Sequence, residues 1–367
     1  MSLWVVVGGQ YGGEGKGKIS AFITREEEID ICIRCGGPNS GHSFVNDDGR
    51  TVLLRQLPTG YIRPRTRLLI PPGALIDLEV LKCELDMLGL DHRRVGVDRN
   101  AMVIEPADKR REAELELRER LSSTLCGVGS AVARRVLRGD DVRTAAIAGK
   151  TNAWLSDLIV DVSEEANTAL DRDKKVLIEG TQGFGLSLYH SDGYPKTTSR
   201  DTTAANLISE VGVSPTLVTE IVLVLRTFPI RVAGEQAGPL KDEITWEVLQ
   251  KESGYPYPIH EMTTVSKKLR RVGRFDWELA EKAARANRPT RVAINGLDYI
   301  DFQNREVRDW ELLTQRACGL IEAVSKRLRI PVRMCGTGPS ILDIVTPELL
   351  SKAGQRVLQE QHVAILE

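Results

Sequence analysis

Short apolar segments, several of them unbroken, recur along the chain and are candidate strands. The first covers residues 4–7, and the others cover residues 29–33, 68–70, 102–104, 176–178, 221–225, 292–294 and 332–334. Such runs are typical of strands that are covered on both faces. Segments with helical spacing, rich in Leu, Ala, Arg and Glu, lie between them, for example residues 109–122 and 277–286. This alternation predicts an α/β fold in which helices flank a mainly parallel central sheet.

The composition adds few constraints on the class of protein. No repeat, low-complexity tract or linker divides the 367 residues, so we expect one domain over residues 1–367. The net charge of −1 gives no sign of a nucleic-acid or membrane partner. The apolar start is too short for a signal peptide, and no run is long enough to span a membrane. Six scattered cysteines suit a reducing compartment, so we expect a cytoplasmic protein.

A glycine-rich loop follows the first apolar run. Residues 8–18 hold six glycines together with Lys16 and Lys18. Glycines let backbone N–H groups face an anion closely, and lysine brings a point charge to phosphate. Gly12 to Lys18 fits G-x-x-x-x-G-K, but Ile19 follows where a Walker loop has the Ser or Thr that holds magnesium. The pattern predicts a phosphate-binding loop of another kind, the alternative being a strand-to-helix turn without a ligand.

Three long loops carry polar residues that suit a functional site, and they cover residues 34–67, 180–206 and 254–274. In the first loop, His42 follows a glycine-rich turn and could act as a general acid or stabilise a phosphoryl group. In the second, the Gln182 amide could read a base edge, and the hydroxyls of residues 197–199 could bind phosphate. A surface histidine and an ordinary polar loop are the alternatives.

The third loop is basic at residues 261–274, and arginine forks bind carboxylates through two hydrogen bonds. A solvated basic surface is the alternative. Residues 294–298 and 335–340 place an aspartate and a Gly-Pro turn at the ends of predicted strands, where they could hold a nucleotide base.

Taken in this order, the motifs resemble those of the adenylosuccinate synthetase family over nearly the whole chain. GQYGGEGKGK resembles the family's GQWGDEGKGK, GGPNSGH its GGxNAGH, EGTQG its EGAQG, and YPKTTSRDTT its YPxVTSSNTT. RTFPIRV resembles the TTRV segment, the basic loop the aspartate-binding loop, and CGTGPS the STGP turn. The chain is shorter than usual for the family, mostly after residue 300.

The resemblance implies a P-loop-NTPase-like fold and a ligase that joins L-aspartate to a 6-oxopurine nucleotide. A nucleoside triphosphate, with Mg²⁺, phosphorylates O6, and the aspartate amine then displaces phosphate at C6. The implied catalytic residues are His42, Gln182 and Lys18, with His42 stabilising phosphoryl transfer. The magnesium positions are the backbone of Gly41 and position Gly13.

Further positions follow from the same resemblance. The residues that match purine-nucleotide contacts are Gly13, Asn39, Ser123, Thr124, Arg138, Gln182, Thr198 and Val232. Those that match the aspartate loop are Ser266, Lys268 and Arg270. Those that match triphosphate contacts are Gly12, Gly15, Lys16, Gly17, Lys18, Asp298, Gly338 and Pro339. Arg138 matches a residue that reaches across a dimer interface to the nucleotide phosphate, so the resemblance implies a homodimer.

Three departures from the family pattern bear on the substrates. Gly13 replaces the catalytic aspartate that takes the N1 proton, Lys268 stands where the family uses arginine, and Gly296 replaces the lysine of a Lys-Leu-Asp motif. Losing the lysine makes ATP or dATP plausible donors beside GTP. Glu14 or a water molecule are the candidates to replace the missing base.

The loss of the aspartate leads us to expect a dGMP-directed enzyme. The chain resembles phage-type 2-aminoadenylosuccinate synthetases, which lack this residue, and its loss is expected to open space beside purine N1 and C2. The product would be N6-succinyl-2-amino-dAMP, on the route to 2-aminoadenine DNA of a bacteriophage, in the host cytoplasm. The alternatives are an IMP-directed, GTP-dependent adenylosuccinate synthetase and an inactive nucleotide-binding protein.

Overall fold

The computed structural model describes residues 2–263 and 268–347. Its strands are β1 (Ser2–Gly8), β2 (Ile31–Arg34), β3 (His42–Val45), β4 (Thr51–Leu54), β5 (Arg67–Ile70), β6 (Leu75–Ile76), β7 (Val95–Asp98), β8 (Met102–Val103), β9 (Ile159–Val160), β10 (Lys175–Glu179), β11 (Val218–Arg226), β12 (Ile230–Arg231), β13 (Glu243–Ile244), β14 (Arg271–Gly273), β15 (Arg291–Asn295), β16 (Val332–Gly336) and β17 (Ile344–Val345). Its α-helices are α1 (Lys16–Glu26), α2 (Leu78–Leu88), α3 (Pro106–Glu114), α4 (Leu117–Leu121), α5 (Val128–Leu137), α6 (Ala145–Gly149), α7 (Ala153–Ser156), α8 (Val162–Asp171), α9 (Ala204–Val211), α10 (Trp246–Ser253), α11 (Trp277–Asn287) and α12 (Gln315–Leu328).

Ten strands form one central sheet in the order β17-β16-β15-β11-β1-β10-β2-β5-β7-β9. Every neighbouring pair in it is parallel except β16 and β17. Side chains of β1 alternate between two cores: Leu3 and Val5 pack with α8, α9, α11 and α12, whereas Trp4 and Val6 pack with α1, α2, α6 and α7. The predicted α/β fold, with helices on both faces of a mainly parallel sheet, is confirmed.

One predicted strand lies outside the main sheet, and one predicted helix was wrong. Residues 102–104 contain the strand β8, which pairs with β6 in a separate two-stranded sheet. The helix predicted over residues 109–122 is broken between α3 and α4, where Glu116 has a left-handed φ of 51° that a right-handed helix cannot include. The end of α3 is tied elsewhere, because Glu112 accepts hydrogen bonds from the backbone N–H groups of Gly127 and Gly129.

The parallel sheet gathers the polar segments of the sequence at one edge. β1, β2, β10, β11, β15 and β16 run in the same direction, so their carboxyl ends meet there. The segments that leave these ends include the glycine loop, the turn before His42, and the turns that hold Gln182 and Asp298. Ligands bind at this edge in open α/β sheets. In the part of the chain that the structure describes, no helix is long and apolar enough to cross a membrane.

Candidate active site

Glu14 stabilises the conformation of the glycine loop between β1 and α1, to which it belongs. Gly12 and Gly15 have φ angles of 91° and 86°, a conformation that favours glycine. The Glu14 carboxylate is buried: Oε1 accepts from the N–H groups of Gln10 and Gly12, at 2.9 and 2.8 Å, and Oε2 accepts from Lys16 Nζ at 2.7 Å. Glu14 therefore holds the loop together, and its engaged carboxylate is not available as the replacement base.

Lys18 links this loop to the turn after β16. Its Nζ donates to the Gly338 carbonyl at 2.8 Å. Burial lowers the pKa of Lys18 to about 8, although Asp298 and Asp343 oppose that shift. A bound phosphate would stabilise the charged form of this buried ammonium group, so the position favours an anion.

His42, at the start of β3, is buried in an ionic cluster. Its Nδ1 lies 2.5 Å from Oε1 of Glu179 and 2.7 Å from Nη1 of Arg34. The other Glu179 oxygen accepts from the backbone N–H and hydroxyl of Thr59 at 2.8 and 2.6 Å. Burial and the Arg34 charge lower the pKa of His42 to about 4, so the imidazole is neutral near pH 7. Glu179 stays ionised: burial raises its pKa, but His42 and Arg34 outweigh that and hold it at about 2.

This contact assigns the tautomer of His42. Two acceptor atoms would repel each other at 2.5 Å, so Nδ1 carries the proton and donates to Glu179, and Nε2 presents a lone pair. His42 Nε2 has no hydrogen-bond partner among the described residues. Gly17 permits this packing, since a Cβ on it would lie 2.5 Å from the Cβ of His42.

A first cavity, of about 400 Å³, lies on one side of the glycine loop. It brings together these residues singled out from the sequence: Gly12, Asn39, Gly41, Ser123, Thr124, Gln182, Val232, Lys268 and Arg270. Sequence reasoning missed Tyr11, Arg118, Ser122 and Thr263, which also line it. Of the described lining residues, three are cationic and none carries a carboxylate. The cavity therefore suits anionic groups.

A second cavity, of about 370 Å³, lies on the other side of the loop. Its lining includes the expected triphosphate residues Gly15, Lys18, Asp298, Gly338 and Pro339. Arg226, Glu261, Asn295, Tyr299 and Arg305 line it too and were not singled out from the sequence. Glu14 and Gly15 belong to this cavity and Gly12 to the first, so the two cavities meet at the glycine loop.

Five of the expected contact residues that the structure describes line neither cavity: Gly13, Lys16, Gly17, Arg138 and Thr198. Lys16 is fully buried against Glu14. Thr198 donates its backbone N–H to the carbonyl of Leu186, which lines the first cavity. Arg138 is exposed just after α5, as a residue that acts across an interface would be. Ser266 lies outside the described residues.

The neighbours of Gly13 contradict the open space that was expected beside it. An ideal Cβ built on it would lie 2.5 Å from Cγ1 of Ile230 and 3.4 Å from Nη1 of Arg270. The place of the missing side chain is thus filled by the buried Ile230, which packs with Phe228 and Trp246.

Position Gly13 does not fit a magnesium ion. Glycine brings no carboxylate, and the Gly13 carbonyl accepts a hydrogen bond from the guanidinium of Arg226 at 3.3 Å, whose charge repels a cation. Gly41 lines the first cavity and keeps a backbone carbonyl as a possible ligand. Among the residues that the structure describes, no three His, Cys, Asp or Glu side chains cluster as a metal site. Mg²⁺ is usually held by one or two carboxylates and substrate phosphates.

Two cavities that meet at a phosphate-type glycine loop, at the carboxyl edge of a parallel sheet, define a nucleotide-dependent α/β enzyme. The chain belongs to the adenylosuccinate synthetase family, whose model matches residues 5–154 and 141–305. It is accordingly a carbon–nitrogen ligase of purine biosynthesis that joins aspartate to a purine nucleotide.

Archaeal relatives share about two fifths of their residues with this chain. The adenylosuccinate synthetase of Thermococcus onnurineus is 41% identical over 350 residues, which cover 94% of this chain and 98% of the relative. That of Pyrococcus horikoshii is 39% identical, over 93% of this chain and 97% of the relative.

Two solved structures share the fold over 94% of this chain. One is the fully ligated adenylosuccinate synthetase from Plasmodium falciparum, with a TM-score of 0.81, 20% identity and all of that chain covered. The other is the cyanophage S-2L succinoaminodeoxyadenylate synthetase bound to dGMP and dATP, with a TM-score of 0.80, 28% identity and 95% of that chain covered.

Proposed function

We propose that the chain condenses L-aspartate with C6 of a 6-oxopurine nucleoside monophosphate held in the first cavity, using a triphosphate held in the second. The observation that carries this assignment is the meeting of the two cavities at the glycine loop. In the proposed reaction O6 attacks the γ-phosphorus and the bond to the β-phosphate oxygen breaks. The aspartate amine then attacks C6, and inorganic phosphate leaves with O6.

The neutral His42 is proposed to act through Nε2. Glu179 holds the ring through Nδ1, and Nε2 is left without a partner among the described residues, as an acid–base group awaiting a ligand would be. A bound phosphoryl group adds negative charge beside the ring and so raises the pKa of His42. Protonated on Nε2 in this way, His42 would donate a hydrogen bond to the O6-phosphoryl group. In the same proposal Gln182 reads the purine edge, and Arg270 with Lys268 holds the aspartate carboxylates.

IMP is the acceptor that the relatives favour, since those at about 40% identity are adenylosuccinate synthetases. dGMP is a second candidate because the described lining of the first cavity has no carboxylate, which is the feature that the phage-type, dGMP-directed enzymes share. The structural neighbour that holds dGMP and dATP supports the same candidate. The expected open space beside Gly13 does not support it, because Ile230 fills that space.

A phosphate-release assay separates these candidates. Purified protein is supplied with L-aspartate and Mg²⁺, and IMP, GMP and dGMP are each crossed with ATP, dATP and GTP. Aspartate-dependent release that is fastest with IMP supports the first candidate. Release that is fastest with dGMP overturns it in favour of the second. No aspartate-dependent release with any pair contradicts the proposed ligase activity of this chain.

A homodimer is proposed on the evidence of α5. Val136 and Leu137, at its end, are 69% and 79% exposed, and Arg138 follows them. Exposed apolar side chains next to a cation that matches an interface position are what a second copy would cover. Light scattering during size-exclusion chromatography should give twice the 40.6 kDa chain mass. A monomer at micromolar concentration would contradict the dimer.

A further inference from the structure

Asn295, the last residue of β15, carries a buried polar atom that the fold leaves unpaired. β15 lies between β11 and β16, where Asn295 is in register with Arg226 and Gly336. The side chain is 7% exposed and lines the second cavity. Its Nδ2 donates to the backbone carbonyl of Glu14 at 2.7 Å, whereas its Oδ1 has no hydrogen-bond partner among the described residues. An unpaired buried acceptor costs free energy, so it calls for a functional explanation.

The hydrogen bond from Nδ2 fixes the orientation of the Glu14–Gly15 peptide. In a trans peptide the carbonyl and the following N–H point in opposite directions. Because Asn295 holds the Glu14 carbonyl, the Gly15 N–H points away from Asn295, and no described residue accepts a hydrogen bond from it. An ideal Cβ on Gly15 would lie 2.8 Å from Nδ2, so glycine lets the amide approach. Both Glu14 and Gly15 line the second cavity, and their oriented peptide leaves an N–H donor for an anion.

The unpaired Oδ1 lies close to the ammonium group of Lys18. An ideal Cβ on Gly336 would overlap Oδ1 of Asn295 and lie 2.5 Å from Nζ of Lys18, so glycine leaves the space in which the two atoms approach each other. Nζ donates to the Gly338 carbonyl, and an ammonium group has three N–H donors. The amide oxygen is the negative end of a dipole, so its place beside Nζ favours the charged ammonium.

We infer that Asn295 is a positioning residue for the triphosphate: its amide group turns the Gly15 N–H toward the phosphates, and its oxygen holds the Lys18 ammonium beside them. The inference rests on the proposed function, because it takes the second cavity as the donor site. Asn295 acts through the glycine loop and Lys18, so its loss should affect every nucleoside triphosphate equally. A residue that read the base would affect one triphosphate more than another.

The first test is calorimetric binding of ATP and GTP at pH 7 without acceptor or aspartate, with IMP and dGMP as ligands of the first cavity. Asn295→Ala removes both contacts and should weaken ATP and GTP by the same factor, about tenfold, the value of one hydrogen bond to a charged group. The affinities for IMP and dGMP should not change. Asn287→Ala is the control: it removes a buried amide that bonds to Ala204 and Ala283 and lines neither cavity, so it should lower stability and leave all four affinities unchanged.

The second test is the pH dependence of triphosphate binding in Asn295→Asp. Burial lowers the pKa of Lys18 to about 8, so the affinity of the parent should fall as the pH rises through that value and the ammonium loses its proton. A carboxylate beside Nζ favours the ammonium, so in Asn295→Asp the fall should move about one pH unit or more higher. The other groups that act on Lys18 keep their places in the variant, and they are Asp298, Asp343, Arg226 and Cys335. A merely structural amide would leave this pH dependence unmoved.

Asn295→Asp decides the matter if Asn295→Ala does not fold. If neither folds, the amide proton resonance of Gly15 in the parent decides it, since that resonance must move downfield when ATP or GTP binds. The inference is overturned by unchanged triphosphate affinity in Asn295→Ala, by a loss confined to one base, by an equal loss of IMP and dGMP affinity, or by an unmoved pH dependence in Asn295→Asp. A parent protein that binds neither triphosphate overturns it as well.

Phosphate release judges the ligase proposal separately. Release by a protein whose triphosphate affinity does not depend on Asn295 would refute only the role of Asn295. The expected losses of affinity in a protein that releases no phosphate would refute only the ligase.

Discussion

Replacing Gly13 tests whether the lost aspartate can simply be restored. Gly13 is not among the residues with a positive φ, so its backbone accepts other side chains. The obstacle is Ile230, whose Cγ1 would lie 2.5 Å from a new Cβ, well inside the 3.4 Å at which ordinary contact begins. Forcing extra atoms into a packed core costs about 1–3 kcal/mol. Gly13→Ala and Gly13→Asp should both lose about that much unfolding free energy, since they share the Cβ.

A double-mutant cycle with Ile230→Ala isolates the clash. Ile230→Ala alone costs about 2–5 kcal/mol because it leaves a cavity, and in that background Gly13→Ala should cost about nothing. Denaturant unfolding at pH 7 measures all four variants. Gly13→Ala as stable as the parent protein, or the same loss in both backgrounds, would refute the proposed contact with Ile230.

The same set of variants separates the steric effect of a side chain at position 13 from the catalytic effect of its carboxylate. With Ile230→Ala relieving the clash, Gly13→Asp should raise IMP turnover above that of Gly13→Ala, because only the former restores a carboxylate. That carboxylate would lie beside the Arg270 guanidinium, whose Nη1 is 3.4 Å from the ideal Cβ. The Michaelis constant for aspartate should therefore rise. Equal IMP turnover in the two double variants would show that a carboxylate here is not sufficient as the base.

Three further predictions concern His42 and Arg270. His42→Ala should cut phosphate release by about 10²-fold or more, with a smaller change in nucleotide affinity, and near-normal turnover would make His42 structural. Arg270→Leu should raise the Michaelis constant for aspartate far more than that for the nucleotide, since a hydrogen bond to a charged group contributes about 1.5–3 kcal/mol; equal effects would mean that the loop organises the whole site. The unfolding free energy should fall as the pH drops from about 6.5, the ordinary pKa of histidine, to about 4, because the unfolded chain binds a proton that buried His42 resists. Denaturant unfolding across that range should show a shallower slope for a folded His42→Asn variant, and parallel curves would assign the dependence to other groups.

The sheet was predictable because its strands are local apolar runs. Residues 176–178 and 292–294 became the centres of β10 and β15, each covered on both faces as their unbroken apolarity indicated. The run at residues 102–104 is equally apolar, and its Met102 and Ile104 pack in a smaller core with Leu75 and Val128. Hydrophobicity reports that a segment is buried but not which sheet it joins.

The candidate site was only partly predictable, since its electrostatics depend on residues far apart in sequence. His42 stood out because of its glycine context, but its partner Glu179 lies 137 residues away and was read only as part of the EGTQG motif. The sequence did not single out Tyr255, because its hydroxyl donates a hydrogen bond to Asp298, which lies 43 residues further along the chain. The packing of Ile230 against Gly13 was invisible for the same reason.

Charge separates the two cavities in a way that matches the proposed substrates. The first has Arg118, Lys268 and Arg270 and no carboxylate among its described lining, which suits a nucleoside monophosphate beside a dicarboxylic amino acid. Each acid at the second cavity lies beside a cation of the protein: Glu14 beside Lys16, Glu261 beside Arg226, and Asp298 beside Arg305. Their negative charge is thereby kept from opposing a triphosphate, while the Lys18 ammonium faces the same space. Both cavities therefore attract anions, and no carboxylate in the described lining of the first cavity competes with aspartate. In the proposed reaction a phosphoryl group passes from one cavity to the other at the glycine loop, whose conformation Glu14 stabilises.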